Sequence, residues 1–152
     1  MKKEERMRKL LDFIEKTTVN NLCDEVLGQA KKCFLDLAGV ICAGAKNNTS
    51  KIIAEYAVQN YAKGDVTILS TGEKTSLIGA AMANGMAANA LDMDDGYSLL
   101  RGHPGSGFFG ALLSAGEYSG CSYGDFLAAL VVAYELSIRE GYVIRHFYFL
   151  LY

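Results

Sequence analysis

Three carboxylates and a histidine stand close together in the middle of the chain. They lie in Ala90-Leu91-Asp92-Met93-Asp94-Asp95-Gly96, followed by Arg101-Gly102-His103-Pro104-Gly105-Ser106-Gly107. An imidazole titrates near neutrality, so it can give or take a proton there, and a neighbouring aspartate can orient it or raise its pKa. His103 is therefore the candidate acid/base, and Asp92 its orienter or a second base. A helix that ends in acids sets them against its own dipole, so helix stability does not account for them. Pro104, the only proline, pushes His103 toward an extended backbone. The glycines after it would leave N–H groups free at the start of the next helix, a ready place for a carboxylate. Arg101, Gly105 and Ser106 are accordingly candidate substrate-binding residues. The same pattern also reads as an ordinary surface loop. Asp92, Asp94 and Asp95 are possible hard-ion ligands too, but their spacing matches no EF-hand, and no metal is expected.

Other motifs carry less. Gly72-Glu73-Lys74-Thr75 resembles the end of a phosphate-binding loop but lacks its upstream glycine, and Glu73 stands where the second glycine belongs. Gly102-x-x-Gly105-x-Gly107 is not a dinucleotide fingerprint. His146 reads as a partly packed helix residue, and Glu117 and Glu135 as ordinary helix acids. Cys23, Cys33, Cys42 and Cys121 form no C-x-x-C pair. They are expected to be buried free thiols in a reducing cytosol.

The elements that must position the loop follow from periodicity. Met7, Leu10, Leu11 and Ile14 predict a short amphipathic helix over about residues 4–16. Val26, Ala30, Cys33, Leu37, Val40 and Ile41 extend the same period through about 23–44, with Gly44 and Lys46-Asn47-Asn48 as a stop. A third helix is expected over about 50–62, then a short β-prone piece at Val66 to Leu69. Ser76 to Leu91 reads as a buried helix in which Gly79 and Gly85 let a neighbour approach closely. Asp92 to Ser106 breaks all periodicity. A helix follows from about Gly107 to Tyr118, closed by Gly120. Ser122-Tyr123-Gly124-Asp125 opens the last helix as a capping box, and the apolar run Phe126 to Val132 predicts full burial there. This is an all-α, multi-helix chain, expected to form one helical domain over residues 1–152.

The 152 residues, 51% hydrophobic and 21% charged, suit one sizeable core and exclude a disordered or fibrous chain. With a net charge of −2 and no basic stripe, nucleic acid is not an expected partner. The charge-free stretch from Thr75 to Leu91 holds Asn84 and Asn89 and falls short of a membrane span. The N-terminus leads into an amphipathic segment, not a secretory signal, so a cytoplasmic protein is expected. Phe147 to Tyr152 is a wholly apolar and aromatic ending, which predicts either docking into a partner copy or a fragment of a longer protein.

In this order and spacing, the motifs resemble the N-terminal half of the MmgE/PrpD family. They are Ala30-Lys31-x-x-x-x-Asp36-x-x-Gly39, Ala80-x-x-x-Asn84-Gly85, Leu91-Asp92-x-Asp94-Asp95-Gly96, Gly102-His103-Pro104-Gly105 and Tyr134-Glu135. The match runs from about Leu10 to about Gly141. The resemblance implies a large helical domain that forms homodimers, an α/β lid domain absent from this chain, and an active site in the cleft between them. It implies lyase, dehydratase or epimerase chemistry on small di- or tricarboxylic acids, such as 2-methylcitrate, cis-aconitate or iminodisuccinate, without metal or organic cofactor. Asp92 and His103 match the family's active-site aspartate and histidine. Gly96 falls at a substrate-contacting position where some members carry a hydroxyl, and Asn89 where a histidine is common. The expected function is thus part of a cofactor-independent enzyme of this kind. The alternative is a catalytically inactive helical oligomerisation module from a truncated or split gene.

Overall fold

A computed structural model describes residues 3–151, with side chains from Glu4 to Ile144. In chain order come α1 (Lys3–Lys16), a 3₁₀ turn (Val19–Asn21), α2 (Asp24–Gly44), α3 (Asn48–Asn60), β1 (Val66–Thr67), β2 (Lys74–Thr75), α4 (Leu77–Asn89), α5 (Pro104–Ser119) and α6 (Tyr123–Leu151). The fold is all-α apart from one small antiparallel hairpin, in which Val66 faces Thr75 and Thr67 faces Lys74. No helix among the described residues is long and apolar enough to cross a membrane.

Helix boundaries follow local chemistry. Asp24 and Glu25 in the first turn of α2 complement its dipole. The Asn47 side chain caps α3 by accepting from the Thr49 N–H at 2.8 Å, and Ser76 caps α4. Gly120 ends α5 in the left-handed conformation, φ +63°. Ser122 Oγ accepts from the Asp125 N–H at 3.1 Å and donates to the Asp125 carboxylate at 2.7 Å, fixing the start of α6.

Two apolar clusters share α4. One joins Leu37 and Ile41 of α2, Ala87 and Ala88 of α4, Phe109 of α5 and Leu127 and Leu130 of α6. Phe34 meets Phe109, Tyr123 and Phe126 edge-on around it. The other joins Ala54 and Ala57 of α3, Val66 and Ile68 of the hairpin, and Ala80 and Ala83 of α4. Buried Asn84 ties the elements together. Its Oδ1 accepts from the Leu69 N–H at 2.8 Å, and its Nδ2 donates to the Thr67 carbonyl at 3.0 Å and to Ser114 Oγ at 3.4 Å.

Several expectations are corrected. Gly79 abuts Thr75 and Tyr61, not a passing helix. Gly85 does lie at a close helix contact, but the glycine that requires the space is Gly110 of α5. Of the run from Phe126 to Val132, Ala129, Val131 and Val132 are only half-buried, because no element of the described fold covers that side of α6 fully. The cysteines are free but not buried. Cys23 precedes α2, Cys121 lies in the loop before α6, Cys42 turns outward, and only Cys33 is partly covered. Met7, Leu11 and Ile14 form the expected stripe on α1 yet stay exposed. The side chains of His146 and of Phe147 to Tyr152 lie outside the described residues.

Candidate active site

The acidic loop hangs between two anchored helix ends. At the end of α4, the Ala90 carbonyl accepts from Asn47 Nδ2 at 3.2 Å, which joins this end to the start of α3. The chain then turns sharply: the Asp92 N–H returns to the Asn89 carbonyl at 3.1 Å, and Asp92 takes φ +52°, a conformation that aspartate tolerates better than most residues. This kink sends the Asp92 side chain outward, 84% exposed, while the Asp94 side chain is completely buried. Beyond it, the Tyr97 N–H donates to the Gly102 carbonyl at 3.0 Å, closing a small turn that brings the chain back to His103. Pro104 occupies the first turn of α5, and His103 before it is extended, as the proline requires.

His103 consequently sits between two aspartates. Nδ1 lies 3.1 Å from the Asp94 carbonyl and 3.5 Å from Asp94 Oδ2, while Nε2 lies 3.3 Å from Asp92 Oδ1. With Nδ1 as the protonated nitrogen, it donates to the Asp94 carbonyl and leaves Nε2 facing a carboxylate. The Asp94 carbonyl contact, followed by the Asp94 charge, raises the His103 pKa above its ordinary value. Burial opposes the rise, and Asp92 and Asp95 add to it. Neither carboxylate oxygen of Asp94 has a hydrogen-bond partner of normal geometry.

Asp95 turns the other way. Its Oδ1 accepts from the Gly105 N–H at 3.0 Å, so the helix N-terminus expected to be free already holds a carboxylate from the chain itself. Burial is the largest influence on Asp95 and raises its pKa. Tyr134 and the Gly105 N–H act against the rise, while Asp94 and Asp36 reinforce it. The Tyr134 hydroxyl is also pushed up, first by burial and then by the Asp95 charge and Cys33. Gly105 is buried, and a Cβ there would collide with Asp95, Leu37 and Tyr134, so only glycine allows this approach. Asp95, Gly96, Tyr97 and Tyr134 line a cleft of about 490 Å³. Another cleft of similar volume lies beside Phe34, Thr67, Glu117 and Tyr123; neither cleft has a histidine on its wall, but the first takes Asp95, Gly96 and Tyr97 from the acidic loop.

The structure thus brings Asp92 and His103 together. Ser106 stands one turn away and donates to the His103 carbonyl at 3.3 Å. Gly96 is exposed. Arg101, at φ +53° in the turn, is also exposed and makes no ion pair among the described residues. Asp94 and Tyr134 belong to the site region; the sequence offered Asp94 only as a possible ion ligand and Tyr134 only as part of a motif, with no catalytic role for either. The alternation Asp-x-Asp-Asp was the available signal, since a kink after Asp92 throws successive acids to different sides.

Compared with known proteins, the chain matches the family model described as the MmgE/PrpD N-terminal domain over residues 8–146. No curated protein and no solved structure matches it. With that match spanning most of its length, the chain belongs to the MmgE/PrpD family, through the family's N-terminal domain.

Proposed function

We propose that this domain supplies the acid/base half of an active site that moves a proton next to a carboxylate in a small di- or tricarboxylic acid. Such a step underlies lyase, dehydratase and epimerase outcomes alike. The observation that carries the reading is the His103–Asp92 pair, 3.3 Å apart, with Asp92 open to solvent on the Nε2 side. His103 exchanges the proton, Asp92 stabilises the charged ring, and the Asp94 carbonyl fixes the tautomer by holding Nδ1. Arg101, Gly96 and Ser106 are the candidate contacts for substrate on this reading.

A second reading has its own observation. Among the described residues no lysine or arginine forms an ion pair with Asp92, Asp94 or Asp95. A polycarboxylate would therefore meet net repulsion here, in a site open to water, where each charge contact is weak. On this reading the chain by itself is a catalytically silent helical oligomerisation module. The exposed Met7, Leu11 and Ile14 on α1, and Tyr142 to Ile144 on α6, would face a second copy.

One assay separates the two. The purified chain is offered 2-methylcitrate, cis-aconitate and iminodisuccinate in D₂O, and exchange of carbon-bound hydrogen is followed by NMR. Proton transfer predicts slow exchange that disappears in His103→Ala. Exchange no faster than in buffer, for all three acids, overturns the first reading and leaves the oligomerisation module.

A further inference from the structure

We infer that Asp92, Asp94 and His103 bind one divalent transition-metal cation, which competes with the proton for the His103 ring. One carboxylate oxygen from each aspartate and one ring nitrogen all lie within 4.8 Å of one another. Oxygen and nitrogen ligands sit about 2.0–2.2 Å from such an ion, so the three donors would draw closer together by side-chain rotation to converge on it. Asp92, 84% exposed, is free to make most of that movement.

A second observation points to a ligand independently of this grouping. The Asp94 side chain has no exposed surface and neither of its oxygens has a hydrogen-bond partner; its one ion-pair neighbour among the described residues is His103 Nδ1, 3.5 Å from Oδ2. A buried carboxylate is normally paired, hydrogen-bonded or bound to metal. His103 already directs Nδ1 to the Asp94 carbonyl at 3.1 Å, and one imidazole nitrogen cannot also satisfy two carboxylate oxygens. That same carbonyl contact fixes the other nitrogen for coordination: a metal-bound histidine generally gives its second N–H to a carbonyl or carboxylate. When Nε2 is unprotonated its lone pair faces Asp92 Oδ1 at 3.3 Å, so a metal cation can take the place the proton otherwise holds between them.

The donor set selects the ion. Two carboxylates with one imidazole suit Mn²⁺, Co²⁺ or Zn²⁺ better than Mg²⁺ or Ca²⁺, which take oxygen-rich sets. The cation is a competitor of proton transfer, not its agent, because an occupied Nε2 cannot accept a proton. Its binding does not depend on whether the proton-transfer reading holds.

The test uses chelator-stripped chain and Mn²⁺, a probe with little affinity for the free thiols, followed by calorimetry and by the loss of free-ion EPR signal. The expected result is one ion per chain, with affinity weakened roughly tenfold or more in both Asp94→Asn and His103→Ala and unchanged in Asp12→Asn. Asp92→Asn keeps a residue that tolerates the left-handed backbone, and its circular dichroism should match the parent. It guards against Asp94→Asn failing to fold and should also weaken binding at least tenfold. No binding below millimolar Mn²⁺, or affinity in Asp92→Asn and His103→Ala equal to the parent's, overturns the site. No substrate is present, so this failure would leave the isotope-exchange result standing, and the converse holds too.

Discussion

Gly110 of α5 lies directly against the backbone of Gly85 on α4. A Cβ at Gly110 would stand 2.6 Å from the Ala81 carbonyl oxygen and closer still to Gly85 N, whereas a Cβ at Gly85 would meet nothing within 4 Å. The two glycines at one contact are therefore not equivalent. Gly110→Ala should force the helices apart and cost about 1–3 kcal/mol, as overpacking typically does. Gly85→Ala should be neutral, or stabilise by up to about 1 kcal/mol through helix propensity. Thermal denaturation of the two variants, side by side, checks the difference in sign.

Asp95 closes the start of α5, so its replacements should separate hydrogen bonding from charge. Asp95→Ala leaves the buried Gly105 N–H without its partner and should cost about 1–3 kcal/mol. Asp95→Asn keeps an acceptor oxygen and removes a half-buried charge, so it should stay much nearer the parent. Denaturant midpoints measured at neutral pH distinguish the two.

The Glu117 carboxylate grips Thr67, accepting from its N–H at 2.8 Å and from its hydroxyl at 2.6 Å. Burial alone would raise the Glu117 pKa, but the two Thr67 bonds and the Lys74 charge outweigh it and hold the group below its usual range. A carboxylate with a depressed folded pKa stabilises the fold above its unfolded value and loses that contribution as pH falls through the folded value. The advantage of the parent over Glu117→Gln should therefore be full at neutral pH and shrink in the acid range below the ordinary glutamate pKa. Melting temperatures of both proteins across that range would show parallel curves if the contact contributes nothing.

Asn84 serves two backbone groups of the hairpin at once. In Asn84→Ala the Leu69 N–H and the Thr67 carbonyl lose their partners, each worth about 1–3 kcal/mol if it stays buried. The expected signature is regional: amide protection lost at Leu69 and nearby hairpin residues, with α6 unaffected. Uniform loss of protection across the chain would contradict it.

Much of this was legible from residue order. The Ser122 and Asp125 cap, the Gly120 stop and the break before Pro104 depend on local backbone chemistry, which sequence displays directly. The pairing of Asp92 with His103 was also accessible, through motif resemblance. Less visible was anything set by the path between elements. Asp94 and Asp95 look alike in the chain, yet the kink at Asp92 buries one against His103 and sends the other to Gly105. Cysteine burial misled for the same reason: periodicity gives a helix its faces, but only packing decides which face is covered. The left-handed Arg101 had no sequence signal, since arginine rarely adopts that conformation.

The alanine-rich helix α4 stands in both apolar clusters, and this has a consequence for how the molecule opens. The cluster of α3 and the hairpin touches the remainder largely through α4, so it can detach while α2, α5 and α6 stay assembled around Phe109. Release of α4, by contrast, removes a wall from both clusters together. Its central amides, near Ala83 and Ala87, should then exchange with solvent only when the whole chain unfolds, whereas those of α3 report a cheaper, partial opening. The short side chains that bring the neighbours of α4 so close make it the slowest clock in the protein.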